Sequence, residues 1–172
     1  MIRTILLATD LSPFSTLSLQ CAINLCGNLN ARLLVVHAVE SPGSYAETLY
    51  ASCFSDCNGE KRRDLFAKLQ RHIVAAIEEE CRDIMASEQS VELEVVVREG
   101  RSTDVVLSLA SERNAGMIVV GSHGANSPGR HVLGSVTTRV MQLAKIPVCM
   151  VPMISPDSWR HAAEIGSRPY CR

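Results

Sequence analysis

Residues 121–135, GSHGANSPGRHVLGS, follow the apolar run GMIVV and precede a helical pattern, so a strand empties into a loop of glycine, serine and one arginine. Gly121, Gly124, Gly129 and Gly134 let backbone amides approach a bulky anion with no Cβ in the way, and they permit positive φ where the loop folds back. Gly134 and Ser135 then open a helix whose free amides and dipole favour phosphate. Hydroxyls at Ser122, Ser127 and Ser135 and the guanidinium of Arg130 add donors. The chemistry that suits this combination is the holding of a nucleotide's polyphosphate. Two common phosphate motifs are missing: no GxGxxG follows the first strand, and GxxxxGK[ST] occurs nowhere. What the loop carries instead is Gly121-x2-Gly124-x9-Gly134-Ser135.

Such a loop works only if the elements around it bring other strand ends to the same place. Short runs rich in Val, Ile and Leu lie at 2–9 (IRTILLAT), 31–39 (ARLLVVHAV), 91–99 (VELEVVVRE), 116–121 (GMIVVG) and 147–153 (PVCMVPM). Their nearly continuous apolarity predicts strands buried on both faces. Helical periodicity fills the intervals: 13–28, with Leu17, Ile23, Leu25 and Cys26 inward; 60–87, with Leu65, Leu69, Ile73, Ile77, Cys81 and Ile84 at three- and four-residue steps; then 102–113 and 134–144. The alternation predicts a single α/β domain with an open, parallel five-stranded sheet, helices on both faces and right-handed crossovers, in the Rossmann-like class. In the order 3-2-1-4-5, strands one and four are neighbours at the point where strand order reverses, and ligands of open α/β sheets bind outside the carboxyl ends there. Asp10, after ILLAT, would face the loop that begins at Gly121.

At these residues the chain resembles the universal stress protein family, whose nucleotide-binding branch carries G-x2-G-x9-G-[ST] between its fourth strand and last helix. ILLATDLS is similar to the family's first strand ending in Asp, LLVVHAV to its second, VREGRSTDVVLSLA to its third strand and the turn beyond, and VLGSVTTRVMQLAKIPVCMVP to its closing helix and strand. The likeness covers about 1–40 and 60–153. It implies an adenine nucleotide alpha hydrolase-like fold and an ATP site, with Mg²⁺ an optional companion. Asp10 would lie beside the ribose and adenine edge, and Ala38, after His37, would offer backbone contacts to the base. Gly121, Gly124, Gly134, Ser135 and Val136 would cradle the phosphates beside Arg130. Two departures stand out: Gly100-Arg101-Ser102 where the family often has Gly-x-Pro, and Gly116 where it often has an acidic residue.

Several residues also admit a structural role. Asp10 would serve equally to cap the helix near residue 13, a role that Ser12 can also fill. His37, at a strand end, suits a hydrogen-bonded structural histidine better than a catalyst, and His123 and His131 suit solvated loop positions. Phosphoryl transfer needs positioned Mg²⁺, charge neutralisation and an oriented nucleophile. The loop has no Lys, and no second acidic metal motif or clear base accompanies it, so no catalytic residue and no protein metal site is assigned. The resemblance likewise implies a nucleotide-responsive regulatory or protective protein with at most slow hydrolysis. Two alternatives stay open: an adenylating or ATP-hydrolysing enzyme on a related fold, although TDLSPFS is neither SGGxDS nor HIGH-like, and a partner-binding module with a vestigial nucleotide site.

Composition limits the partners. The 172 residues are 47% hydrophobic and 20% charged, with a formal net charge of −1. That lacks the clustered cationic excess that nucleic acid or anionic membrane binding needs. No apolar run approaches the eighteen or so residues of a membrane helix, and the start reads as a strand instead of a signal peptide, so a cytoplasmic location is expected. Seven scattered cysteines suit free thiols, Cys53 and Cys57 included. Residues 1–153 form the domain, with a turn-rich insertion at about 41–59 and a peripheral tail over 154–172 that Trp159 would pin. Pro147 and Pro152 bracket the last strand, which places it at a sheet edge. An edge bearing Val148, Met150 and Val151 invites pairing, and the family resemblance implies a homodimer through Val148–Val151. A downstream protein partner is left unidentified.

Overall fold

The computed structural model describes residues 1–12, 15–40, 59–85, 91–123 and 133–152. Their element order is β1 (Thr4–Ala8), α1 (Ser15–Leu29), β2 (Arg32–Val39), α2 (Gly59–Met85), β3 (Leu93–Glu99), α3 (Ser102–Glu112), β4 (Met117–Gly121), α4 (Ser135–Leu143) and β5 (Val148–Val151). The expected insertion with Cys53 and Cys57, apart from its last residue Gly59, lies outside the described residues, as do Gly124, Ser127, Gly129, Arg130, His131 and the tail with Trp159. The five strands are all parallel, in the order β3-β2-β1-β4-β5. Strands β1 and β4 are therefore neighbours, with Ala8 opposite Val120.

Continuous apolarity in the central strands follows from burial on two sides. Ile5, Leu7, Leu33, Val35 and Val119 point into a cluster with Leu19, Ile23 and Cys26 of α1 and Ile77 and Cys81 of α2. The alternate residues Leu6, Leu34, Val36, Ile118 and Val120 pack with Val106 and Leu109 of α3 and Val140 of α4. Each of these strand residues is no more than 2% exposed, and complete burial of such a side chain contributes about 1.5–3 kcal/mol.

The long helix departs from its sequence pattern at one end. Ile77 and Cys81 are buried, but Leu65 is 69% exposed and Leu69 43%. The 27 residues of α2 span roughly 40 Å, whereas the 7 residues of β3 span roughly 23 Å. Gln70 donates through Nε2 to the Val97 carbonyl, 2.8 Å away, so the turns before it overhang the carboxyl edge of the sheet. Leu65 is on that overhang, while Leu69, next to Gln70, is level with β3 and exposed all the same.

The edge strand needs a second correction. Val151 is 6% exposed and belongs to the core beside α1, so its side chain is no part of an edge surface. Val148, Cys149 and Met150 are partly buried. Cys21, Cys26, Cys81 and Cys149 are free thiols. Burial pushes the Cys26 thiol up to about 12 and Cys81 up to about 11, which leaves both protonated and unreactive at neutral pH. Gly116 also has a packing reason: a Cβ there would meet Ile2 Cγ2 at 3.1 Å and Ile2 Cα at 3.2 Å. No helix among the described residues is long and apolar enough to cross a membrane.

Candidate functional site

Beyond the carboxyl ends of β2, β1 and β4 lies a cleft of about 430 Å³, within the range of small-molecule sites. Its floor follows from the topology. The three strands are consecutive in the sheet, so their ends span roughly 10 Å.

The β1 end turns sharply. Thr9 N donates to the Val36 carbonyl at 2.9 Å, and Leu11 then takes φ +60. Two short side chains hold that turn: Thr9 Oγ1 accepts from Leu11 N at 3.2 Å, and Asp10 Oδ1 accepts from Ser12 N at 3.1 Å. Asp10 thus orders the residues before α1 while remaining exposed at the cleft. Ser12 does not cap α1 through its hydroxyl; Ser15 Oγ donates to the Ser12 carbonyl at 2.7 Å instead. The Oγ atoms of Ser12 and Ser18 are buried and make no hydrogen bond among the described residues. Ser18 is 3% exposed and lines the cleft. A buried hydroxyl without a partner is costly, and one on a cleft wall suits a polar guest.

His37 has the structural role expected of it. Its Nδ1 lies 2.9 Å from the Thr9 carbonyl, and since a carbonyl only accepts, Nδ1 carries the proton. His123 Nδ1 pairs with Ser122 Oγ at 2.8 Å. Ser122, read from sequence as a donor to the ligand, is buried and does not line the cleft.

Three helix N-termini reach the cleft, since Ser15 of α1, Ser102 of α3 and Ser135 of α4 all line it, and the last two differ. At α3, Glu40 Oε1 accepts from Ser102 N at 2.8 Å and from Ser102 Oγ at 2.7 Å. The amide and hydroxyl of Ser102, with help from Arg101, hold the Glu40 carboxyl below its ordinary 4.5. Gly100, at φ +144, makes the turn that brings Ser102 there. At α4 the N-cap is Gly134, with no side-chain cap and no acidic residue in the first turn. The first amides of a helix have no intrahelical acceptor, so this end is electropositive, and it has no side-chain cap among the described residues. It is also fixed in place: Gly134 N donates to the Ser122 carbonyl at 2.9 Å, and Thr137 Oγ1 to the Gly121 carbonyl at 2.6 Å.

Asp10, Ala38, Gly121, Gly134, Ser135 and Val136 all line this one cleft. Gly124 and Arg130 lie outside the described residues. Sequence reasoning missed Ser15, Ser18, Glu40, Ser102, Val106 and Thr137. Serines at three-residue steps through 12, 15 and 18 were a usable signal for a polar inner face; the Glu40–Ser102 contact joins positions 62 apart and left none. Among the described residues, no three His, Cys, Asp or Glu side chains gather to hold a metal.

The fold and the site define a class: an open parallel α/β domain with a cleft at its switch point, walled on one side by a helix N-terminus that has no side-chain cap among the described residues. The chain belongs to the universal stress protein family, whose sequence profile matches residues 1–152. Universal stress protein YxiE of Bacillus subtilis (strain 168) is 30% identical over 156 residues, which covers 88% of this chain and 99% of that protein. A universal stress protein solved in complex with cAMP shares the fold with a TM-score of 0.60 at 23% identity, over 89% of this chain and 98% of that one. The universal stress protein of Archaeoglobus fulgidus solved in complex with dAMP gives 0.54 at 22% identity, over 87% and 98%.

Proposed function

We propose that this chain is an ATP-binding universal stress protein that acts in the cytoplasm as a nucleotide-responsive regulatory or protective factor, with no efficient catalysis of its own. The observation that carries the proposal is the N-terminus of α4, which has no side-chain cap among the described residues and is held at 2.9 and 2.6 Å to the end of β4. Anions are stabilised at such an end by unpaired amides and the helix dipole. In this reading Gly121, Gly134, Ser135 and Val136 take the phosphates, and Gly124 and Arg130 join them from the same motif. Asp10 takes the ribose edge and the Ala38 backbone the base, with Mg²⁺ accompanying the triphosphate. The unpartnered Ser18 hydroxyl supports a polar occupant. Relatives of the same fold were solved with cAMP and with dAMP, both adenine nucleotides.

The same cleft argues for binding over turnover. His37 is bonded to the Thr9 carbonyl, and one oxygen each of Glu40 and Asp10 is tied to Ser102 and to Ser12 N, so scaffold bonds orient these titratable groups and none of them is placed as a base by the fold alone. The β5 edge, bracketed by Pro147 and Pro152, pairs with a second copy in this reading, through its main chain and Met150. The deciding experiment is calorimetric titration of purified protein with ATP and Mg²⁺, together with nucleotide analysis of an acid extract. Saturable binding or copurified adenine nucleotide supports the proposal. Absence of both overturns it, and hydrolysis faster than about one per minute, still slow for an enzyme, would replace it with an enzymatic function.

A further inference from the structure

The base end of the cleft has a composition of its own. Its walls are the small aliphatic side chains of Val36 and Ala38 from β2, Val106 from α3 and Val120 from β4, which suit the faces of a planar ring. Val36, Val106 and Val120 are each no more than 2% exposed, so this wall is fixed by the core behind it. On the rim above stands Glu40, two residues beyond Ala38 on the same side of β2.

Glu40 is oriented as well as present. Both Ser102 bonds fall on Oε1, at 2.8 and 2.7 Å. Two donors on a single oxygen restrict how the carboxylate turns, and neither of these bonds uses Oε2 of this cleft-lining residue. A carboxylate accepts hydrogen bonds and donates none. The group stays ionised at neutral pH, since Ser102 lowers its pKa.

We propose that Glu40 determines which base the cleft accepts: its carboxylate selects bases that present an exocyclic amino group at the β2 end and rejects those that present a carbonyl. An amino group donates to the carboxylate, as it does when Glu or Asp reads cytosine. A carbonyl in the same place sets two acceptors against each other and leaves both unpaired. The inference rests on the proposed nucleotide function and adds to it the source of base selectivity. Bonds to charged groups of this kind support a preference of roughly ten- to a hundredfold.

Inosine triphosphate differs from ATP at the base edge alone, where a carbonyl replaces the amino group and a protonated ring nitrogen replaces an acceptor, so it is the response of the preference to Glu40→Gln that assigns it to Glu40. Calorimetry on the wild-type chain is expected to give at least tenfold tighter binding of ATP than of inosine triphosphate. Glu40→Gln is the decisive variant. Ser102 still needs an acceptor, so the amide oxygen takes the Oε1 position and the NH₂ group falls where Oε2 was. The rim then presents a donor, and the preference is expected to vanish or invert while the melting temperature stays near that of the wild type. Equal wild-type affinities, or an unchanged preference in Glu40→Gln, would overturn the proposal and leave Glu40 as a cap for α3. Failure of the wild-type chain to bind either nucleotide would overturn the nucleotide function itself, a different result from equal binding.

Discussion

Replacing Thr137 by Val tests whether the α4 end of the cleft is positioned by a single side chain. Thr137 is 5% exposed, and its hydroxyl donates to the Gly121 carbonyl at 2.6 Å across 16 residues of sequence. Valine has nearly the same shape, so no cavity forms; what changes is that a methyl group faces a carbonyl deprived of this donor. Deleting one partner of a buried hydrogen bond costs about 1–3 kcal/mol, and the added apolar group recovers part of that. A net loss of about 1–2 kcal/mol corresponds to a fall in melting temperature of about 2–8 °C for a domain of this size. The remaining tie, Gly134 N to the Ser122 carbonyl at 2.9 Å, lies just before the helix and allows the first turn to pivot. ATP affinity in calorimetry should therefore fall about three- to tenfold, which is about 0.7–1.4 kcal/mol. Thr137→Ser keeps the hydroxyl and should restore affinity even where stability is not fully regained. If Thr137→Val matches the wild type in melting temperature and affinity, or if Thr137→Ser behaves like Thr137→Val, the bond does not position the helix.

Three further outcomes follow from residues at the cleft and the edge. Leu11 sits at φ +60 and is 39% exposed. Leu11→Gly should therefore raise stability by about 0.5–1 kcal/mol in urea denaturation, the strain relief exceeding glycine's entropic cost, whereas Leu11→Ala should not. Glu40 has a folded-state pKa depressed below 4.5, so its contribution is present above that value and is lost as pH falls through the lower, folded one. The melting-temperature difference between wild type and Glu40→Gln should narrow on acidification from about pH 6 to pH 3. Its amplitude stays small because the group is exposed, and a gap that widens would contradict the Ser102 contact. Met150→Lys should convert a β5-paired dimer into monomers in light scattering with the fold intact; a persistent dimer would place the interface elsewhere.

The fold was legible because each element carried a strong, local signal. β1, β2 and β4 are buried on both faces, and that environment is what writes continuous runs such as ILLA and LLVV. Helix spacing was weaker evidence for burial: Leu65 and Leu69 keep the period of α2 and are nonetheless exposed. Val151 shows the opposite error. Pro147 and Pro152 correctly place β5 at the edge, yet being on an edge strand leaves the main chain open, while alternate side chains still enter the core. Gly116 departs from the family pattern where a Cβ would crowd Ile2, two residues before β1.

The candidate site was half legible, for a physical reason. Gly121, Gly134 and Ser135, which line the cleft, could be read because they belong to one closely spaced stretch of backbone, whose signature is a spacing. Glu40, Ser102 and Thr137 act through contacts made by the finished fold, and no window of sequence contains both partners. Their effect is nonetheless what gives the cleft a direction. Both α3 and α4, like α1, begin at the cleft, and by dipole alone each would attract an anion. Glu40 neutralises the first from within the chain; α4 has neither a side-chain cap nor an acid in its first turn. In the proposed nucleotide function, this contrast favours the phosphates on the β4 side and the base on the β2 side, across roughly two strand spacings. Exchanging that asymmetry, by an acid at Ser135 together with Glu40→Gln, should abolish triphosphate binding even though every glycine of the loop is retained.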